Sequence, residues 1–194
     1  DIALQRRMIH LILKYLHLTK EFTYHHIDGI IDLILQEHPS KSLDLPGVRV
    51  YRNYDELMMT TSSRTDFNPY HYELNIPGML HLENIHKRIT AYTADHYEEK
   101  QGIWAVFDFD LLKKKPLIVR SRKNGDRMNL LGMNGSKKVK DIFIDQKIPK
   151  EQRDLVPLLE SEGTILWIPG IARSRHALIS DLTKSFLYVV VENI

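Results

Sequence analysis

The spacing of apolar residues changes once along the chain, and this change constrains the fold more than any other feature. Between residues 4 and 18, one stripe of a helix would carry Leu4, Met8, Leu11, Ile12, Tyr15 and Leu16. A second helix is predicted to start at Thr23, a suitable N-cap, and to stop before Pro39. After Pro46-Gly47 the apolar residues fall into short runs separated by turns, as in β-strands. The sequence therefore predicts an α+β chain that opens with a helical hairpin.

The later part of the chain predicts short strands around a single helix. A hairpin is expected near residues 48–59, and further strands at residues 70–76, 85–92, 103–109, 117–122, 158–159, 165–168 and 186–191. Ser136 is a reasonable cap for a helix that turns Val139, Ile142 and Phe143 inward. We therefore expect a small C-terminal α+β domain with a mixed sheet.

Composition excludes several classes of protein. No apolar run approaches the roughly 18 residues of a membrane span, so no membrane partner is expected. The absence of cysteine excludes disulfide scaffolds, zinc–thiolate sites and thiol nucleophiles, and it suits a cytoplasmic protein. The chain opens on Asp1 and shows helical spacing from Leu4 onward, which predicts a piece of a longer protein.

Charge is distributed unevenly although the formal net charge is only +2. Residues 113–153 contain thirteen Lys or Arg and four acidic residues, which gives this segment a charge of +9 and leaves −7 for the remainder. A basic segment on an otherwise acidic protein is typical of a polyanion-binding surface, because neutralising phosphates releases condensed counterions. Nucleic acid is the favoured partner, and a merely solvated face is the alternative.

Particular basic residues are candidates for phosphate contacts. Arg120 and Arg122 would project from one face of a strand, and a helix start at Ser136 would offer free amides beside the lysines that follow. The candidate nucleic-acid-binding residues are Arg120, Arg122, Lys123, Arg127, Ser136, Lys137, Lys138 and Lys140. Asp126 beside Arg127 is also interpreted as an ion pair that stiffens the turn at Gly125.

No catalytic constellation emerges from the residues. The sequence lacks a phosphate-binding G-x-x-x-x-G-K-[ST] loop and a G-x-S-x-G nucleophile motif. Asp108 and Asp110 could pair on a strand, but the lysines at 113–115 offer them simple salt bridges. His10 and His17 lie two turns apart, and His25 and His26 point in different directions, so no metal site is predicted.

Several blocks resemble the C-terminal part of bacterial tRNA(Ile)-lysidine synthetases. The matching blocks are residues 116–127 and 131–138, followed by 141–145, 147–149, 153–154, 157–158 and 165–170. Residues 3–7 and 45–47, with Tyr54 and Leu57, resemble the end of that family's central domain. Asn124 and Leu130 depart from the family by standing where it often has proline.

The resemblance implies a domain order and a parent activity. Residues 1–62 would end the central, substrate-binding helical domain, 63–112 would be a linker and β segment, and 113–194 the tRNA-binding α+β domain. The parent would ligate lysine to the wobble cytidine of the isoleucine tRNA with a CAU anticodon, using ATP with magnesium. Its S-G-G-x-D-S loop has no counterpart here, so this chain alone should hold no cofactor and be inactive.

The resemblance and the charge pattern together predict that the chain grips the tRNA body, plausibly the acceptor stem, by phosphate contacts. Its other partners would be the parent's N-terminal catalytic domain and a second copy in a homodimer. The loop at 124–134 is the candidate for base discrimination. Two alternatives stay open: a non-catalytic module that binds an acidic protein, and a stand-alone enzyme that uses Asp108, Asp110 or the histidines.

Overall fold

The computed structural model describes residues 1–16, 22–35, 42–53, 55–60, 68–112 and 116–194, which form two compact units. Unit 1 extends over Asp1–Phe67 and unit 2 over Asn68–Ile194. The predicted boundaries at residues 62 and 113 fall outside the described residues, as do His17, Tyr54 and the lysines at 113–115. No helix in the described ranges is both long and apolar enough to cross a bilayer.

Unit 1 packs two helices onto a small sheet, as the predicted helical hairpin and β-hairpin require. Its elements are α1 (Ile2–Tyr15), α2 (Tyr24–Leu35), β1 (Ser42–Leu45), β2 (Val48–Asn53) and β3 (Glu56–Thr60). The three strands are antiparallel in the order β1-β2-β3. The core contains Ile9, Leu13, Ile27, Ile30, Ile31, Leu33, Val48 and Val50. Asp28 on α2 accepts a 2.7 Å hydrogen bond from Arg6 Nε on α1.

The apolar stripe that the sequence places on α1 is not the side of the helix that packs on this core. Leu4, Met8 and Leu11 are 55–60% exposed, whereas Ile9 and Leu13 are 5% and 1% exposed. Ile9 and Leu13 stand four residues apart and therefore share one side of the helix. Helix α1 has two apolar sides, and its contact with α2 selects the narrower one.

Unit 2 contains two larger sheets, a two-stranded ribbon and two short helices in its described residues. Its strands are β4 (His71–Leu74), β5 (Gly78–Leu82), β6 (Lys87–Ala94), β7 (Ile103–Asp108), β8 (Leu117–Arg120), β9 (Arg127–Met128), β10 (Lys137–Lys138), β11 (Leu158–Ser161), β12 (Thr164–Ile168), β13 (Ala172–Arg173) and β14 (Phe186–Asn193). Its helices are α3 (Phe109–Leu112) and α4 (Val139–Asp145), and a 3₁₀ turn covers Glu83–Ile85.

The two sheets run in the orders β13-β12-β11-β8-β4 and β5-β6-β14-β7. All strand pairs in the described residues are antiparallel, so the α+β class is confirmed but the predicted mixed sheet was wrong. Strand β4 pairs with β8, and β6 and β7 both pair with β14. Residues 68–112 therefore complete the sheets of the C-terminal region.

Helix α4 covers one face of the five-stranded sheet. Its buried residues Val139, Ile142 and Phe143 pack with Met128, Leu158, Ile165 and Ile168. The positions i, i+3 and i+4 place the three helix residues on one side, as the sequence predicts. This contact fixes α4 beside the ribbon of β9 and β10, where most of the candidate basic residues lie.

Candidate nucleic-acid interface

Arg120 is part of the interior and not of the surface, so its prediction as a phosphate contact is corrected. The residue is 3% exposed at the end of β8. Its Nη1 and Nη2 donate to the two carboxylate oxygens of Asp126 at 2.8 and 3.0 Å, and its Nε donates to Glu160 on β11. Burial alone would lower the pKa of Arg120, but the hydrogen bonds to Asp126 and Glu160 raise it above its ordinary value. Four of its five N–H donors are thus used within the protein, and its 3% exposure keeps the guanidinium away from RNA at the surface.

Asp126 organises the turn that carries the basic residues. Its carboxylate accepts a 2.7 Å hydrogen bond from the Lys123 amide as well as the fork of Arg120, and its carbonyl accepts the Val139 amide at 2.9 Å. The predicted Asp126–Arg127 ion pair was therefore assigned to the wrong arginine. The turn reaches φ +89° at Gly125, a conformation that glycine adopts without steric cost.

Ser136 belongs to a ribbon and does not cap a helix. It lies directly before β10, and its hydroxyl and carbonyl oxygens each accept a 2.8 Å hydrogen bond from Arg127. Helix α4 begins at Val139 with Lys138 as its N-cap, and no side chain caps its first turn. Because the first amide of α4 is already bonded to Asp126, the predicted anion site at a Ser136 helix start was wrong.

The ribbon of β9 and β10 places Lys137 and Lys138 on opposite faces. Lys137 opposes the buried Met128 and Lys138 opposes Arg127, and side chains opposite each other in an antiparallel pair share a face. Lys137 accordingly lies on the inner face, where it forms an ion pair with Asp145 of α4. Lys138 and Arg127 lie on the outer face, and both are exposed.

Four candidate residues form an exposed basic cluster: Lys123, Arg127, Lys138 and Lys140. Lys123, Lys138 and Lys140 form no ion pair with any residue that the structure describes. Arg122 follows β8 and is partly exposed, with its Nε 2.7 Å from a carboxylate oxygen of Asp154. The cluster thus comprises the outer ribbon residues, the turn and the start of α4.

Two predicted catalytic alternatives have structural roles. The Asp108 carboxylate accepts the amides of Asp110 and Leu111 at 3.0 and 3.3 Å and the Thr183 hydroxyl at 2.7 Å, so it caps α3. The ring of His26 accepts the Thr23 amide at 3.2 Å at the start of α2. Among the described residues, no three His, Cys, Asp or Glu side chains are grouped closely enough to hold a metal ion.

Sequence reasoning missed Glu160, which helps to hold the turn of the cluster, and Arg173, whose side chain joins the two large sheets of unit 2. Glu160 is a largely buried acceptor for Arg120, with its side chain 14% exposed, and an acidic residue inside the apolar strand β11 was the available signal. Arg173 stacks 3.7 Å above the ring centre of Phe107 and donates to the Val106 carbonyl at 2.7 Å. Burial lowers the pKa of Arg173 to about 10. No pattern around Arg173 distinguishes it from a surface arginine.

Sequence models of two protein domains match the chain. The model of the TilS substrate-binding domain matches residues 1–58, and that of the TilS substrate C-terminal domain matches residues 117–185. The first match covers most of unit 1, and the second includes every residue of the basic cluster.

Curated relatives of the chain are tRNA(Ile)-lysidine synthases or contain TilS in their name. A tRNA(Ile)-lysidine synthase of Bacillus cereus is 36% identical over 98% of this chain, and one of Geobacillus kaustophilus is 40% identical over 88%. A bifunctional TilS/HprT protein of Listeria innocua is 39% identical over 89% of this chain. The chain spans 41%, 38% and 27% of the lengths of these three relatives, respectively.

A solved structure agrees with these matches at the level of the fold. The crystal structure of a TilS C-terminal domain is 35% identical to this chain, with a TM-score of 0.59, and the match covers 66% of this chain and 98% of that one. Both the sequence blocks and the α+β architecture are therefore shared. The chain belongs to the tRNA(Ile)-lysidine synthase family and corresponds to the C-terminal, substrate-binding part of its members.

Proposed function

We propose that this chain holds the body of a tRNA while a catalytic domain elsewhere in the parent protein modifies the anticodon. The parent is an ATP-dependent ligase that attaches lysine to the wobble cytidine of the isoleucine tRNA with a CAU anticodon, and it works in the cytoplasm. ATP and magnesium belong to that catalytic domain. The chain on its own is then a binding module without ligase activity.

The observation that carries the proposal is the exposed state of Lys123, Lys138 and Lys140. A lysine without a carboxylate partner keeps its whole charge available for phosphate, and three of them lie within one small hydrogen-bonded substructure. The network of the buried Arg120 with the partly buried Asp126 and Glu160 fixes the turn that carries them, so the cluster needs little ordering when it binds.

The acceptor stem is the part of the tRNA that this surface suits. A-form RNA hides its base edges in a deep and narrow major groove, so a protein holds a stem through phosphates, 2′-hydroxyls and shape. Lysines on a rigid ribbon are matched to such contacts because they position RNA without reading its sequence. Arg122 and Lys137 can add to the contact by exchanging Asp154 and Asp145 for phosphate.

The test compares two double variants with the same change in charge. Lys138→Gln with Lys140→Gln should weaken binding of the CAU isoleucine tRNA and lower the slope of log affinity against log salt by about 2. The control, Lys14→Gln with Lys184→Gln, changes two other exposed lysines and should leave the slope unaltered. Equal slopes for both variants would overturn the assignment of the basic cluster. Light scattering of the same samples tests the further expectation of a homodimer.

A further inference from the structure

A pocket within unit 1, between the first halves of α1 and α2, has two walls of different chemistry. Its volume is about 490 Å³, within the roughly 300–1,000 Å³ typical of ligand pockets. We propose that it binds one unpaired nucleotide of the tRNA, with the base against an aromatic wall and the phosphate on a cationic one. The cationic wall on α1 contains Arg6, Arg7 and His10, and the other wall contains Phe22, Tyr24 and Ile27.

The wall formed by α1 has one arginine available for a ligand. Arg6 and Arg7 precede His10 by four and three residues, so the three side chains share one side of the helix. Arg6 is held by Asp28, with 2.7 Å between its Nε and a carboxylate oxygen. Arg7 is exposed and forms no ion pair with any residue that the structure describes. Its planar fork of N–H donors is therefore available for a phosphate.

The opposite wall presents an exposed aromatic ring beside a fixed one. Tyr24, the first residue of α2, lines the pocket and is 81% exposed. Phe22 is partly buried against the core of unit 1, and its ring meets that of His26 edge-on, with 6.2 Å between the ring centroids. Bases of any sequence stack on such rings, because every base has a π-face. The pocket thus combines a stacking surface with a phosphate-binding group.

This combination favours a nucleotide over an acidic peptide or an apolar ligand. An acidic peptide offers carboxylates to Arg7 but no flat ring to Tyr24, and an apolar ligand would bury part of a charge without a partner. Bases paired in an A-form stem cannot enter a concave site, whereas bases of loops and ends can be splayed out and stacked on aromatic rings. The occupant is therefore a nucleotide from a single-stranded part of the tRNA, and this inference rests on the proposed function.

The experiment measures fluorescence anisotropy of two labelled RNAs with the intact chain. One is the CAU isoleucine tRNA, which has unpaired nucleotides, and the other is a blunt acceptor-stem duplex, which has none. Tyr24→Ala should weaken binding of the tRNA roughly tenfold, as expected for one stacked base, and leave the affinity for the duplex unchanged. Tyr24→Phe should retain the affinity for the tRNA and Tyr24→Leu should not, because stacking requires an aromatic ring.

Two matched controls come from the same helix. Tyr15 on α1 is 80% exposed and does not line the pocket, so Tyr15→Ala should leave both affinities unchanged. Arg7→Gln should lower the slope of log affinity against log salt by about 1 for the tRNA only. Lys14→Gln removes the same charge from α1 outside the pocket and should leave that slope unaltered.

The outcomes separate this site from the proposed function. Equal tRNA affinities of Tyr24→Ala and Tyr15→Ala would overturn the nucleotide site and leave the proposed function standing. A loss in Tyr24→Ala that is as large for the duplex as for the tRNA would do the same. Absence of tRNA binding by the unaltered chain would overturn the proposed function, and this inference with it.

Discussion

Arg120 owes its position to acceptors that the fold places around its guanidinium. Asp126 comes from the following turn and Glu160 from the neighbouring strand, so the arginine ties two elements together. Alternation along residues 117–122 could predict that Arg120 and Arg122 are near each other, but it could not predict which of them is buried. That depends on Glu160, which is 40 residues away in the sequence.

Replacing Arg120 with Ala should destabilise unit 2 by about 1.5–3 kcal/mol, because the largely buried carboxylates of Asp126 and Glu160 would lose their charged partner. Urea unfolding measures this change in the free energy of unfolding. Arg175→Ala removes an exposed arginine of the same unit and should change stability by less than about 0.5 kcal/mol. A loss below about 1 kcal/mol for Arg120→Ala would contradict the interior role.

The pKa of His96 provides a second test at the scale of the residue. The hydrogen bonds that the protonated ring donates to the carboxylates of Asp95 and then Glu98 raise this pKa above its ordinary value. The folded state therefore holds the proton more tightly than the unfolded chain. The resulting stabilisation is complete below the unfolded pKa near 6.5 and is lost as the pH rises through the raised pKa.

Asp95→Asn should move the pKa of His96 back toward 6.5 in an NMR titration, because it removes the largest of the contributions that raise it. Asp181→Asn, at an exposed aspartate with no recorded contact to His96, is the control. An unchanged His96 titration in Asp95→Asn would show that the pair seen in the structure does not hold in solution.

The sequence determines long strands more closely than short ones. The runs at 103–109 and 186–191 predicted β7 and β14 to within two residues, because long apolar β-rich runs between turns leave few alternatives. The short ribbon of β9 and β10 has no apolar pattern, so its residues were instead assigned to a loop and a helix cap. Pairing of β9 with β10 depends on the eight residues 129–136 between them, which carry no strand signal.

Helix α1 allows a matched comparison of its two apolar sides. Leu13→Ala should cost about 2–5 kcal/mol, because it opens a cavity in the core of unit 1. Leu11→Ala alters a residue that is 55% exposed and should cost less than about 0.5 kcal/mol. Chemical denaturation of the two variants measures both values. Similar losses would mean that the helix uses the stripe predicted from the sequence after all.

The turn at Gly125 offers a test at the level of one loop. Gly125→Ala should destabilise unit 2 by about 1 kcal/mol, because alanine at φ +89° is strained even though space for its Cβ is open. Gly125→Asn should cost less, since asparagine tolerates positive φ. Thermal unfolding ranks the two variants. If both were neutral, the turn would not have the rigidity assumed for the basic cluster.

At the scale of the whole molecule, the charge distribution indicated a segment of the chain as a candidate surface but did not identify its individual residues. The +9 segment drew attention to residues 113–153, yet charge counts cannot separate a free lysine from a paired one. The structure removes Arg120 from the candidate surface and pairs Arg122 and Lys137 with carboxylates. The remaining exposed cluster is smaller than the sequence suggested.

The central claim is that this chain binds tRNA as RNA and not merely as a polyanion. The most direct measurement is anisotropy of labelled CAU isoleucine tRNA with the intact chain at two salt concentrations, with polyglutamate as a competitor of matched charge. The account predicts salt-sensitive binding that polyglutamate displaces poorly. Displacement by polyglutamate as effective as that by unlabelled tRNA, or no binding at the lower salt concentration, would contradict it.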